Sequence, residues 1–318
     1  MRNAFAAEVT RLAAELPQLV LLSGDIGNRL FDEYKARFGP RFLNCGVAEA
    51  DMIGVAAGMA MCGLRPVVYT IASFLATRAF EQIRVDLCYH RLPVVLVGVG
   101  GGFAYASLGA THHSTEEVGC LRLLPNMTVV CPGDPTEVRL ALAAALRRED
   151  PVYIRIGKKG EPSVHAGEPA FSIGKGIVVR EGAQVCLVST GAMLPAAVAA
   201  AEALSLRGVS AQVVSMHTVK PLDHGLLAGV FSRCRVVATV EEHSLLGGLG
   251  AAVAEWLADR SLDVGGTAEP GARLVRFGAA DEFFNVAGSQ EDARAHFGLT
   301  PRHIAERVLK AMGSLRNK

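Results

Sequence analysis

The feature of this sequence that most constrains its fold is a repeated alternation of short apolar runs with longer segments of helical periodicity. In the first half, the apolar runs cover residues 19–22, 66–69, 94–99, 127–130 and 153–156. Segments such as residues 49–62 and 135–147 separate them and have the spacing of helices. Apolar runs that alternate with helices are typical of a parallel sheet covered on both faces. The sequence therefore predicts the α/β class.

A second set of alternating segments begins at residues 185–189 and continues to a last predicted helix at residues 301–312. Between the two sets lies a looser stretch, residues 157–176, which is rich in glycine and mixed in charge. A chain of 318 residues is long enough for two buried cores. We therefore expect two three-layer α/β/α domains with mostly parallel sheets, at residues 1–165 and 166–318.

The composition excludes several classes of function. Lys+Arg 32 against Asp+Glu 31 gives a net charge of +1, and aromatic residues make up 6%, so neither a basic surface nor a base-stacking platform for nucleic acid is predicted. The uncharged stretch 92–115 is broken by proline and glycine and reads as a buried strand entering a loop, so no membrane partner is expected. The cysteines form no Cys-x-x-Cys pair, and charges interrupt the N-terminal segment, which favours the reducing cytoplasm over secretion.

Ligands of open parallel sheets bind beyond the carboxyl ends of the strands, so the residues there are candidates for chemistry. The run Gly98–Phe103 lacks the third glycine of a dinucleotide fingerprint, and no zinc spacing occurs. Glu49 is the most informative carboxylate, because it opens a small, apolar helical segment. Two interpretations stay open: a charge partner of the helix dipole, or a carboxyl group placed for proton transfer.

Several segments, in order along nearly the whole chain, resemble the transketolase family of thiamine-diphosphate enzymes. The first is Gly46-Val47-Ala48-Glu49, followed by the helix rich in Gly, Ala and Met. The others in the first half are residues 72–84, 109–113, 124–129 and 132–134. In the second half the resemblance covers residues 175–176, 189–191, 217–223, 241–243, 247–250 and 288–291.

The resemblance implies a pyrimidine-binding domain followed by a transketolase C-terminal domain. The family's Gly-Asp-Gly motif, which holds Mg²⁺ and the cofactor's diphosphate, does not occur in this sequence. The resemblance therefore implies the C-terminal subunit of a split, cytoplasmic transketolase of carbohydrate metabolism, inactive alone. Its expected partner is the N-terminal subunit carrying the diphosphate and Mg²⁺ site, in an α2β2 heterotetramer that uses thiamine diphosphate.

The resemblance also implies roles for individual residues. Glu49 matches the carboxylate that activates the cofactor's aminopyrimidine ring, and His112 matches a histidine near the reacting carbon. Asp25, Phe74 and Phe80 are expected to contact the cofactor. The plainer alternatives are a turn-capping role for the aspartate, core packing for the two phenylalanines and a satisfied loop position for the histidine.

The expected substrate-binding residues are Arg29, Arg78, His112, His113 and Lys158. Several positions depart from classical transketolases. The family has an acidic residue at Leu108, a phosphate-contacting histidine at Gly100 and an arginine at Lys158. It also has a serine at Arg29 and usually a glutamine at His113. Lysine keeps the positive charge but loses the bidentate fork of arginine. The substrates are thus expected to be small sugars or sugar-phosphate-like molecules. The departures favour a modified ketose or a pyruvate-type molecule as the donor.

The expected reaction is the transfer of a two-carbon ketol or acyl unit from a ketose-type donor to an aldose acceptor. Three alternatives stay open. They are the β subunit of a 2-oxo acid dehydrogenase, a pyruvate acyltransferase similar to deoxyxylulose-phosphate synthase, and a non-catalytic relative. The arginine at position 78 resembles the residue found in the deoxyxylulose-phosphate synthase branch. The presence of both Glu49 and His112 argues against the last.

Overall fold

A computed structural model describes residues 1–27, 29–158, 160–263 and 272–313. The strands are β1 Leu19–Ser23, β2 Phe42–Asn44, β3 Arg65–Ile71, β4 Val95–Val99, β5 Thr128–Val130, β6 Val152–Ile156, β7 Ile177–Arg180, β8 Val185–Ser189, β9 Ala211–Ser215, β10 Thr218–Lys220, β11 Val236–Ser244 and β12 Arg273–Ala279. The helices are α1 Arg2–Glu15, α2 Asp32–Phe38, α3 Glu49–Met61, α4 Ala72–Arg78, α5 Phe80–Gln82, α6 Glu117–Arg122, α7 Pro135–Ala145, α8 Leu194–Ser205, α9 His224–Arg233, α10 Leu249–Asp263, α11 Gln290–His296 and α12 Pro301–Gly313.

The first sheet has seven strands in the order β10-β5-β6-β4-β3-β1-β2. All its neighbouring pairs are parallel except β10 with β5. The second sheet has five strands in the order β12-β11-β8-β9-β7, and only β7 runs antiparallel to its neighbour. The predicted α/β class with two mostly parallel sheets is confirmed.

Alternate residues of the central strands face different cores, which explains their unbroken apolar character. Leu19 and Leu21 of β1 pack with α1 and α7, whereas Val20 and Leu22 pack with α3. In β8, Val185 and Leu187 pack with α8 and α12. The opposite face of β8 joins the same core as Val20 and Leu22, so one apolar cluster lies between the two sheets. Helices therefore cover both faces of each sheet.

The second half of the chain also contributes to the first sheet. Thr218 and Lys220 of β10 pair with Val130 and Val129 of β5. The Lys220 ammonium donates to the carbonyl oxygens of Arg122 (3.0 Å) and Leu124. The sheet order thus links the two halves through backbone hydrogen bonds.

Residues 77–89, whose sequence has helical spacing, form an irregular helix. Helix α4 ends at Arg78, and Ala79 leaves helical geometry at φ −113° and ψ 20°. A π-helical turn, Ile83–Tyr89, follows α5. Such turns are uncommon and concentrate near functional sites. The break at Ala79 puts Arg78 in the last turn of α4, where its side chain reaches α3.

Among the described residues, no helix is long and apolar enough to cross a membrane. All seven cysteines lie in the described part of the chain and are free thiols.

Candidate active site

The predicted site residues follow the carboxyl ends of five parallel strands of the first sheet. Asp25 follows β1, Glu49 follows β2, and Phe74 lies in α4 directly after β3. His112 lies on the long loop after β4, and Lys158 follows β6. Because these strands run in the same direction, their carboxyl ends meet at one edge of the sheet.

Glu49 is the first residue of α3, and its side chain is only 2% exposed. The preceding Gly46 has φ +69°, a left-handed conformation that glycine adopts without strain and that turns the chain from β2 into the helix. The partial positive charge at the helix N-terminus favours a carboxylate at this place. Oε2 of Glu49 accepts a hydrogen bond from Nη1 of Arg78 at 3.1 Å.

Arg78 connects Glu49 with an aromatic side chain. Its guanidinium carbon lies 3.9 Å from the centroid of the Phe74 ring, in stacking contact, and its side chain is 46% exposed. The Phe74 ring in turn meets the His112 ring edge to face, with 5.0 Å between their centroids. A continuous series of contacts therefore runs from the buried carboxylate through the cation and the aromatic ring to the histidine.

His112 is placed to work as a neutral imidazole. Burial lowers the pKa of His112, and the positive charge of the neighbouring Arg78 lowers it further. Its Nδ1 lies 3.0 Å from the hydroxyl oxygen of Thr111. A neutral imidazole has one nitrogen that donates and one that accepts, so His112 can move a proton at a bound hydroxyl group near pH 7.

Tyr105 extends the site and is not among the residues that the sequence predicts. Its ring centroid lies 6.3 Å from that of His112, and Nζ of Lys158 lies 4.9 Å from the same tyrosine ring. Gly100 makes this possible, because a Cβ there would lie 2.0 Å from the Tyr105 ring. The aromatic ring thus occupies the space beside the position where classical transketolases are expected to have a histidine. The sequence signal that could have indicated this contact is Gly100 followed five residues later by Tyr105.

Four predicted residues lie outside this series of contacts. Asp25 is exposed with φ 56°, and its Oδ1 accepts from Nδ2 of Asn44 at 2.8 Å. Arg29 is exposed, and Phe80 is partly buried against the apolar core. His113 is 5% exposed and packs edge to face against Phe103. The roles of these four residues in binding stay predictions. The surroundings of Phe80 agree with the alternative that this side chain packs in the core.

Within the described ranges, no group of three or more His, Cys, Asp or Glu side chains could hold a metal ion. The donors present do suit the pyrimidine half of thiamine diphosphate, which needs a carboxylate and an apolar ring face. The buried Glu49 supplies the first and Phe74 the second, and the Arg78 side chain contacts both of them.

Comparison with known proteins gives the chain its family. The model of the transketolase pyrimidine-binding domain matches residues 1–161, and that of the transketolase C-terminal domain matches residues 174–304. The chain is 34% identical to one subunit of the apulose-4-phosphate transketolase of Actinobacillus succinogenes, over 86% of this chain and 85% of that protein. It is also 36% identical to 1-deoxy-D-xylulose-5-phosphate synthase of Thermomicrobium roseum, over 97% of this chain and 48% of that protein.

A solved structure agrees with these relatives. A split-gene transketolase in an inactive beta4 tetramer superposes with a TM-score of 0.86 at 36% identity, covering 98% of this chain and 97% of that one. Two family models in the expected order, relatives of matching length and this shared fold lead to one conclusion: the chain belongs to the transketolase family.

Proposed function

We propose that this chain is the C-terminal subunit of a split, thiamine-diphosphate-dependent transketolase-like transferase. It would move a two-carbon ketol or acyl unit from a ketose-type donor to an aldose acceptor. The observation that carries the proposal is the buried Glu49 carboxylate at the start of an apolar helix, joined through Arg78 and Phe74 to the neutral His112. The similarity to the apulose-4-phosphate transketolase subunit, over 85% of that protein, supports it.

The cofactor, when bound, supplies the electron sink that carbon–carbon cleavage needs. Glu49 would hold its aminopyrimidine ring by a hydrogen bond, and Phe74 would pack against that ring, with Asp25 and Phe80 at the edge of the same region. Since Arg78 is bonded to Glu49 and stacked on Phe74 in this structure, cofactor binding requires Arg78 to move away. We assign Mg²⁺ and the diphosphate to the N-terminal partner.

The substrate end of the site is cationic. Lys158 and the released Arg78 would provide positive charge near His112, with Arg29 and His113 as further predicted contacts. A phosphate or other anionic group on the sugar would bind to these charges, and Lys158 would bind it as a point charge rather than as a fork. His112 would position or deprotonate a donor hydroxyl group.

The assembly we propose is an α2β2 heterotetramer in the cytoplasm, in which the N-terminal subunit completes the site. Within this chain we propose domains at residues 1–165 and 166–318, with β10 crossing from the second into the sheet of the first. The free thiols of all seven cysteines agree with a reducing compartment.

The test is co-expression with a candidate N-terminal subunit that carries the Gly-Asp-Gly motif, followed by an assay of two-carbon transfer between sugars. Glu49→Ala should lower kcat roughly 10³-fold or more, because the cofactor loses the group that activates it. Asp51→Ala is the matched control: it removes an exposed carboxylate from the same helical turn and should change kcat less than about threefold. A Glu49→Ala enzyme with near wild-type turnover would contradict the assignment.

A second candidate is a pyruvate acyltransferase similar to 1-deoxy-D-xylulose-5-phosphate synthase. Arg78 favours it, together with the 36% identity to that enzyme of Thermomicrobium roseum. The assay therefore includes pyruvate as donor, and lipoamide as acceptor for the 2-oxo acid dehydrogenase alternative. Turnover of pyruvate without turnover of ketoses would select this second candidate.

A further inference from the structure

The loop that carries His112 is closed at its base by a short backbone bridge. The amide of Gly102 donates to the carbonyl of Ser114 at 2.7 Å, and the amide of Ser114 donates back at 2.9 Å. Residues 103–113 lie between these two and include both Tyr105 and His112. Contacts that hold the Gly102–Ser114 bridge therefore also restrain the position of His112.

A carboxylate from the second domain binds the base of this loop. Oε1 of Glu242, in β11, accepts a hydrogen bond from the amide of Phe103 at 2.6 Å, and the residue is 2% exposed. Two residues of α11 also bind the Glu242 carboxylate. Arg294 forms an ion pair with its Oε2, and the Gln290 side chain donates from Nε2 to its Oε1 at 2.7 Å. Hydrogen bonds to a charged acceptor are stronger than neutral ones, so the loop's starting point is firmly held.

The other side of the bridge is held by Arg155 of β6, which also contacts β11. Nη2 of Arg155 donates to the carbonyl of Ser114 at 2.6 Å and to the backbone carbonyl of Glu242 at 2.9 Å. Gly102 permits the close approach, because it has φ +65° and a Cβ there would lie 2.5 Å from Oε1 of Glu242. The Phe103 end of the loop is thus bonded to the Glu242 carboxylate, and the Ser114 end is linked through Arg155 to the Glu242 backbone.

We propose that Glu242 is a positioning residue for His112, so that the second domain fixes the geometry of a catalytic loop in the first. The expected effect of Glu242 on turnover rests on the proposed transferase function, whereas its contacts with the loop do not. Glu242 reaches the site only through the loop backbone. The packing of Phe103 on Phe297, with 5.2 Å between ring centroids, should keep the variant folded but does not by itself fix the position of the loop. A variant at residue 242 should therefore fold with a displaced loop.

The experiment follows the His112 resonances in the full-length chain by NMR, assigned with His112→Asn. Glu242→Ala should raise the pKa of His112 toward its ordinary value, because a loosened loop exposes the ring to water. Glu242→Gln keeps an oxygen that can accept from Phe103, so it should shift less. The resonance of the buried His217 reports that each variant is folded. If Glu242→Ala does not fold, Glu242→Asp takes its place with the same expected direction, because its carboxylate is one methylene too short to reach the Phe103 amide.

Glu255→Ala is the matched control, because Glu255 of α10 also forms an ion pair across the domains, with Arg122 of α6, but does not touch the loop. It should leave the His112 titration and the turnover unchanged. An unshifted His112 in a folded Glu242→Ala or Glu242→Asp chain, or an equal shift in Glu255→Ala, would overturn the proposal.

In the assembled enzyme, Glu242→Ala should lower kcat about 10- to 100-fold with KM changed less than about twofold, since a displacement near 1 Å of a catalytic group costs this much. The titration needs neither cofactor nor partner. Absence of transfer in the wild-type complex would therefore count against the proposed function alone, whereas an unchanged kcat in an active complex of Glu242→Ala would count against the positioning role alone.

Discussion

Removing Arg78 should strengthen cofactor binding. In the present structure its guanidinium is hydrogen-bonded to the 2% exposed Glu49 and stacked on Phe74, and these are the two side chains proposed to receive the aminopyrimidine ring. A ligand that needs Oε2 of Glu49 and the same face of the Phe74 ring must first displace the arginine. The free energy of the lost contacts is subtracted from that of binding, so Arg78→Ala removes an obstacle rather than a contact.

The magnitude follows from the exposure of the arginine. Because its side chain is 46% exposed, we treat the ion pair as partly screened, at about 0.5–1 kcal/mol. Stacking on an aromatic face at such a site contributes about 0.5–1 kcal/mol more. The sum of about 1–2 kcal/mol corresponds to a dissociation constant for thiamine diphosphate that is about 5- to 30-fold lower in the variant.

The measurement is calorimetric titration of the assembled complex with thiamine diphosphate and Mg²⁺. Arg84→Ala serves as the control, because Arg84 forms only an exposed ion pair with Glu81 at 3.7 Å, and it should leave the affinity unchanged. Weaker binding to the Arg78→Ala complex would refute the reasoning, since it would mean that the arginine helps to hold the cofactor.

Three further outcomes are expected. Lys158→Ala should raise KM several-fold for a phosphorylated or otherwise anionic substrate and leave kcat and the KM of an uncharged one nearly unchanged; equal effects on both would place the lysine outside the pocket. Burial lowers the pKa of His217 to about 4, below its ordinary 6.5. Between pH 6.5 and pH 4 the unfolded chain therefore binds more protons than the folded one. The free energy of unfolding should fall by about 3 kcal/mol as the pH is lowered through this range. Urea titrations should show a flatter profile for His217→Asn, and an identical profile would contradict this origin. Gly102→Ala should lower the unfolding free energy by about 1–3 kcal/mol, because its φ is positive and the methyl group meets Glu242; unchanged stability would contradict this.

The sequence predicts those parts of the fold that carry their own local signal. The strands at the centre of both sheets are continuous apolar runs, so the predicted bounds of β1, β4 and β8 agree with the structure within a residue or so. The strands β2, β7 and β10 escape prediction because they are short or partly exposed edge strands. Nothing near Thr218 indicates that it pairs with Val130, since that pairing depends on how two distant segments meet.

The candidate site divides in the same way. Glu49 and His112 lie within motifs that the family shares, so the resemblance is sufficient to select them. The pairing of Glu49 with Arg78 depends on the end of a helix at Ala79, and the place of Tyr105 depends on the space beside Gly100. Both are tertiary contacts, and single-residue patterns do not contain them.

The antiparallel pairing of β10 with β5 has a consequence for how such a chain can be rearranged during evolution. A recombination event that exchanged residues 1–165 for those of a relative would pair a new β5 edge with an old β10, so both backbone register and the packing of Lys220 would have to match. We therefore expect a foreign first half to be tolerated better when it brings its own strand from the second half. Gene fission or fusion in such a lineage should fall before this whole block rather than inside it.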